Sequence, residues 1–132
     1  MLRHVMVTSV LLVGGASSAL AQECLHLQNE TAMDRTRREQ AIQFARRLNV
    51  AQQISPPPSQ GRRYRPPEEL VNLPPVPAGF QLQFHTDGRT YAFSLKDMRD
   101  ACRFAVFSDQ DGYVYAASAQ QSAATIIPLD TR

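Results

Sequence analysis

Beyond position 21, the residues best equipped for chemistry are Cys24, Cys102, His26 and His85, together with a few paired acids. The two cysteines lack the C-x-x-C spacing of a redox pair, and neither has a histidine placed in sequence as a dyad partner. Cys24 and His26 are two apart, on one side of an extended segment. Their reading as a reactive or metal-binding pair holds only if Cys24 is a free thiol. Two histidines without an acidic ligand at helical or hairpin spacing make a poor metal site. Asp109, Asp111 and Gly112 resemble the start of a calcium loop but lack a third acidic ligand and the distal glutamate, so the stretch reads as a hairpin turn. Glu68-Glu69 and Asp97/Asp100 read as surface acids, with nothing to place them in a cleft. The sequence holds no glycine-rich phosphate loop, nucleophile elbow or H-E-x-x-H motif. No catalytic residue, cofactor-binding residue or metal ligand is expected, and the chain reads as non-enzymatic.

The amino-terminal segment explains why the cysteines should pair. Arg3 and His4 precede a short apolar run from Val5 to Val13, then small residues, ending in Ala19-Leu20-Ala21. That pattern predicts a secretory signal over 1–21, a mature chain from Gln22, and a periplasmic or secreted location. The run is about half the roughly 20 apolar residues that a membrane span needs, so no span is expected after cleavage. In an oxidising compartment the simplest state of two cysteines is one disulfide. Closing a loop of about 79 residues stabilises by roughly 4–5 kcal/mol in the chain-entropy model.

Removing the signal from the 132-residue chain leaves 111, enough for one small domain. The mature chain carries 13 basic against 12 acidic residues, and Lys96 is its one lysine. A charge so near balance gives no general attraction to nucleic acid, and none is expected as a partner.

A helix is predicted over 30–53. Thr31 and Asp34 match a capping box, and Ala41, Phe44, Ala45, Leu48 and Ala51 recur on one face. Arg35, Arg38, Arg46 and Arg47 fall mostly elsewhere and form the candidate interaction surface, although such a face is commonly just solvated. Asn29-Glu30-Thr31 is formally a glycosylation sequon. From Ser55 to Gly79 the chain holds eight of its nine prolines, which exclude a long helix or central strand. This stretch reads as a stiff connection wrapping from helix to sheet, with one helical turn over Pro67–Val71. Polyproline recognition by a partner is the rival reading. Two hairpins follow. Phe80, Leu82 and Phe84 alternate with polar residues, Asp87-Gly88 turns, and Tyr91, Phe93 and Leu95 return. Cys102–Phe107 reads as a third strand, Asp109–Gly112 as a turn, and Tyr113–Ala116 as a fourth strand.

The expected fold is therefore α+β. One N-terminal amphipathic helix covers a small antiparallel sheet of about four strands, in a single domain over 22–117, with a loose tail over 118–132.

The order of these segments resembles the soluble part of type IV pilins and type II secretion pseudopilins. The residues that carry the likeness are Leu48-Asn49-Val50-Ala51-Gln52, then Gly61-Arg62-Arg63-Tyr64-Arg65-Pro66. The hairpins with Tyr91-Ala92-Phe93 and Phe107–Tyr115 complete it. In that family a helix ending in an N-x-A-Q-like segment precedes a G-x-Y-P stretch and a small antiparallel sheet. The likeness covers roughly 35–116 and brings no catalytic residues. Pilins also begin with a prepilin cleavage site and a long apolar helix; here an ordinary signal precedes a charged helix. The resemblance thus implies a free pilin-like domain that binds a protein or envelope component, not a filament subunit. The alternative is a small periplasmic enzyme or enzyme inhibitor, the latter presenting Thr86–Arg89 or Asp109–Gly112.

Overall fold

The structure, a computed structural model, describes residues 24–26, 30–54, 63–118 and 127–129. The expected signal, Asn29 of the sequon, and parts of the proline-rich stretch and tail lie outside the described residues.

Helix α1 runs from Ala32 to Ile54. Its start is fixed as the sequence predicts: the Asp34 N–H donates to Thr31 Oγ1 at 3.1 Å, and the Thr31 hydroxyl donates to the Asp34 carboxylate at 2.6 Å. The alanine-rich stripe is its buried face. Ala41, Ala45 and Leu48 are wholly buried, with Ile42, Phe44 and Ala51 beside them. Small side chains let the helix axis approach the sheet closely. The helix is not the first described segment, because Cys24–His26 and Glu30 precede it.

Among the described residues, five antiparallel strands form one sheet in sequential order. They are β1 (Phe80–Thr86), β2 (Tyr91–Asp97), β3 (Ala105–Asp109), β4 (Val114–Ala117) and β5 (Ile127–Leu129). Helix α1 lies over β3 and β4. Tyr91, Phe93, Leu95, Val106 and Val114 point into the core, and Phe104 seals its end. Leu82 and Phe84 are only half-buried, because β1 is the edge of the sheet. Phe84, Tyr91 and Phe93 stack at centroid distances of 5.8–6.4 Å.

Two boundaries differ from the sequence reading. The third strand begins at Ala105, not Cys102. The Asp100 carboxylate accepts the N–H groups of Cys102 and Phe104, and Arg103 has φ +54°, so this stretch is a turn. The short strand β5 lies within the stretch expected to be a loose tail, where Ile127–Leu129 pairs with Val114–Ala116.

From Arg63 the proline-rich connection runs along the helix to the first hairpin. Gln52 holds the backbone of Arg65 by accepting its N–H at 3.1 Å and donating to its carbonyl at 2.6 Å. The Tyr64 N–H donates to the Gly88 carbonyl, and its ring meets Tyr91 edge-on at 4.6 Å. A 3-10 turn at Pro67–Glu69 then delivers Leu70 into the core.

Candidate functional site

The densest polar chemistry lies at the leading end of α1, where four charged groups meet under a disulfide. Cys24 and Cys102 are bonded, with Cα atoms 5.2 Å apart. The bond brings Leu25 and His26 onto the β2–β3 turn. The Leu25 N–H donates to Asp100 Oδ1, the same oxygen that receives Cys102 N–H. His26 is 1% exposed and lies against the Phe104 ring at 4.6 Å. Its Nε2 is 2.8 Å from Asp97 Oδ2, and its Nδ1 is 3.2 Å from Glu30 Oε1.

Asp97 is the hub. Its carboxylate also takes Arg37 Nη2 and the N–H of Arg99. The Arg37 guanidinium lies over the Phe80 ring, 5.4 Å from its centre. Gly79 makes room for it. With φ +84°, a side-chain carbon there would sit 3.1 Å from Arg37 Nη2. On the outer side, Arg38 grips both oxygens of Glu30 at 2.8 and 3.0 Å. Those bonds hold the Glu30 carboxyl below its usual range; burial opposes them, and the His26 contact adds to them. Glu30 in turn raises Arg38.

A histidine beside an aspartate is the geometry of a general base, but this one has no free edge. Both ring nitrogens face carboxylates, and both can donate only when the ring carries two protons. Neither nitrogen points toward solvent or a hydroxyl that could act as nucleophile. The cluster is a clamp that fastens the pre-helix segment, the helix and the β2 end together. Asp97 and Asp100, read from sequence as surface acids, are 1% and 5% exposed. The alternating pattern that defines β2 covers Asp97, so its inward position was the available signal. Nothing local marked Arg37, whose partner is 60 residues away.

A second polar set joins the far half of α1 to the sheet. Asn49 Nδ2 donates to Ser108 Oγ and to the Gly112 carbonyl, while its Oδ1 accepts the Tyr91 hydroxyl at 2.8 Å. Burial pushes the Tyr91 hydroxyl well above the ordinary tyrosine range. Asn49 and Gln52, the polar residues of the N-x-A-Q-like segment, are thus both internal fasteners.

The four candidate surface arginines do not converge on one patch. Arg35 and Arg38 both sit at Glu30, Arg35 at 3.7 Å and largely exposed. Arg46 lies by the β3–β4 turn, beside Asn49, Gln53, Asp111 and Tyr113. Arg47 lies on the other flank. There it borders a hollow with Gln40, Gln43, Phe44, Pro74 and Pro75, between the helix and the proline-rich connection.

No family model, curated protein or solved structure matches this chain. The remaining candidates are placed as follows. His85 is exposed on β1. Asp109 Oδ1 accepts the Asp111 N–H at 2.9 Å, and Gly112 closes the turn with φ +79°. Among the described residues, no group of three or more histidine, cysteine or acidic side chains gathers to hold a metal. Nor is any described helix long and apolar enough to cross a membrane.

Proposed function

We propose that the chain is an exported, pilin-like domain that binds a protein or an envelope component without catalysing a reaction. The observation that carries this reading is the groove bordered by Arg47, Gln40, Gln43 and Phe44 on one side and Pro74, Pro75 and Pro77 on the other. It is where the charged helix face and the proline-rich wrap, the two surfaces singled out in the sequence, meet. Prolines hold one wall at little entropic cost, and an exposed arginine supplies a directional charge. The disulfide and the signal-like amino terminus support export. The helix-then-meander order supports the likeness to pilins.

The experiment is capture from the native envelope with the mature chain and with an Arg47→Glu variant, whose exposed position leaves the fold intact. A component retained by the first and lost by the second supports the reading. Equal retention by both moves the contact elsewhere and defeats it.

An inhibitor is the second reading, and one observation favours it. Asp87 Oδ1 accepts the N–H of Arg89, the N–H of Thr90 and the Thr90 hydroxyl at 2.7–3.1 Å, so the Asp87–Thr90 loop is pre-set. These bonds, led by Thr90 N–H, hold the Asp87 carboxyl below its ordinary range.

A further inference from the structure

The two edges of the sheet differ in a way that points to an assembly. Strand β5 is three residues long and contains Pro128, which has no N–H to offer a neighbour. Strand β1 is seven residues long, Phe-Gln-Leu-Gln-Phe-His-Thr, with no proline, no lysine and an unbroken register against β2. Monomeric proteins usually blunt such an edge with charge, proline or a bulge. None of these is present in β1.

The direction of its backbone groups follows from one bond. The Met98 N–H donates to the Gly79 carbonyl at 2.9 Å. In an antiparallel ladder the bonded pairs then recur every second residue, at Gln81–Lys96, Gln83–Ser94 and His85–Ala92. The N–H and C=O groups of Leu82 and Phe84 therefore face outward. Among the described residues no hydrogen bond reaches them. The side chains of Leu82 and Phe84 are half-buried and border a hollow shared with Val76, itself 38% exposed.

We propose that a second copy of this chain occupies the edge, pairing β1 antiparallel with its own β1 about a two-fold axis through Gln83. The sequence of the strand is self-complementary in that register. Leu82 faces Phe84 of the second copy, and each such pair exchanges two N–H···O=C bonds. Both side chains lie on the helix side of the sheet, so the apolar layer continues across the junction and covers the hollow beside Val76. On the opposite side Gln81 meets His85, and Gln83 meets itself, so no formal like charges are opposed. A slip by one residue would set outward-facing backbone groups against inward-facing ones and is excluded. The arrangement is closed: among the described residues each copy uses its one long free edge and leaves the proline-bearing β5 at the margins.

The position of Gln83 gives a specific test. It is a non-bonded pair on the axis, with Cα atoms expected about 4.5 Å apart, within reach of a disulfide. The described residues hold no free cysteine, so an introduced thiol reports alone. Under mild oxidation Gln83→Cys forms a covalent dimer. Gln81→Cys and His85→Cys do not when each is alone, but do when the two proteins are mixed. Sedimentation equilibrium of the disulfide-closed chain gives twice the mass of one chain. In Gln83→Lys, which opposes two ammonium groups at an exposed position, the mass falls to that of one chain with the circular dichroism spectrum of the folded chain unchanged, and the concentration dependence of the wild-type melting temperature is lost.

A wild-type chain that stays monomeric across the micromolar-to-millimolar range overturns the proposal. That includes a monomer whose edge is filled by a strand from another protein. A dimer that persists in Gln83→Lys, or that cross-links as well through Gln81→Cys alone, uses another surface and overturns it equally.

Discussion

Arg37 Nη2 bridges both carboxylate oxygens of Asp97, at 2.8 and 2.9 Å, across 60 residues of chain. The second turn of α1 is thereby tied to the last residue of β2. The same carboxylate holds His26, which the Cys24–Cys102 bond delivers from before the helix. Among the described residues, the segment leading into α1, which would ordinarily fray, is held by a disulfide and a cluster of ion pairs.

Removing the hub charge is therefore expensive. Asp97→Asn leaves a buried guanidinium and a buried imidazole without their shared anion. The expected loss is about 3–5 kcal/mol, read from urea unfolding. A loss within half a kcal/mol of zero would show that the cluster contributes nothing net.

Glu30 gives the clamp an acid limit. Its carboxyl is held below the ordinary value of 4.5, first by Arg38 and then by His26, against the opposing effect of burial. A folded-state value below the unfolded one contributes stability that is present above the unfolded value. That stability is lost as pH falls through the folded one. Glu30→Gln should then be less stable than wild type by about 1–2 kcal/mol at neutral pH. The gap should close below about pH 4.5. Unfolding curves taken across that range decide it; a gap that does not change with pH contradicts the assignment.

Leu48 is wholly buried and Phe93 nearly so, on facing elements of one core. Leu48→Ala or Phe93→Ala should each cost about 2–5 kcal/mol, the range for truncating a large core residue. Effects below half a kcal/mol at both would place the core elsewhere.

The helix, its cap and the first hairpin were legible because their signals are local. Thr31 and Asp34 are three residues apart, the buried alanines recur at helical spacing, and Asp87-Gly88 sits between two alternating runs. The charged clamp was not legible. Buried ionic groups are rare, and the Asp97 hub takes Arg37 and His26 from 60 and 71 residues away, so no short window contains both halves; only the Glu30 contacts with His26 and Arg38 are local. The shifted start of β3 has a similar cause. Cys102-Arg103-Phe104 has strand-like composition, but the Asp100 carboxylate captures its N–H groups before a neighbouring strand can. Strand β5 escaped notice because three residues including a proline give no period to read. The arginines were identified by type, yet only the fold shows Arg46 and Arg47 on opposite flanks.

The disulfide should act mainly by restricting the unfolded chain. Replacing Cys24 and Cys102 together by alanine should lower stability by roughly 2–5 kcal/mol and leave the folded spectrum unchanged under mild conditions. A variant that fails to fold at all would show that the clamp cannot form without the bond.

The intact mass of the protein recovered from outside the cytoplasm of its native cell, without reductant, tests the account most directly. The account predicts a chain that begins at Gln22 and carries the Cys24–Cys102 bond. A chain that still begins at Met1, or one with two free thiols, would contradict it.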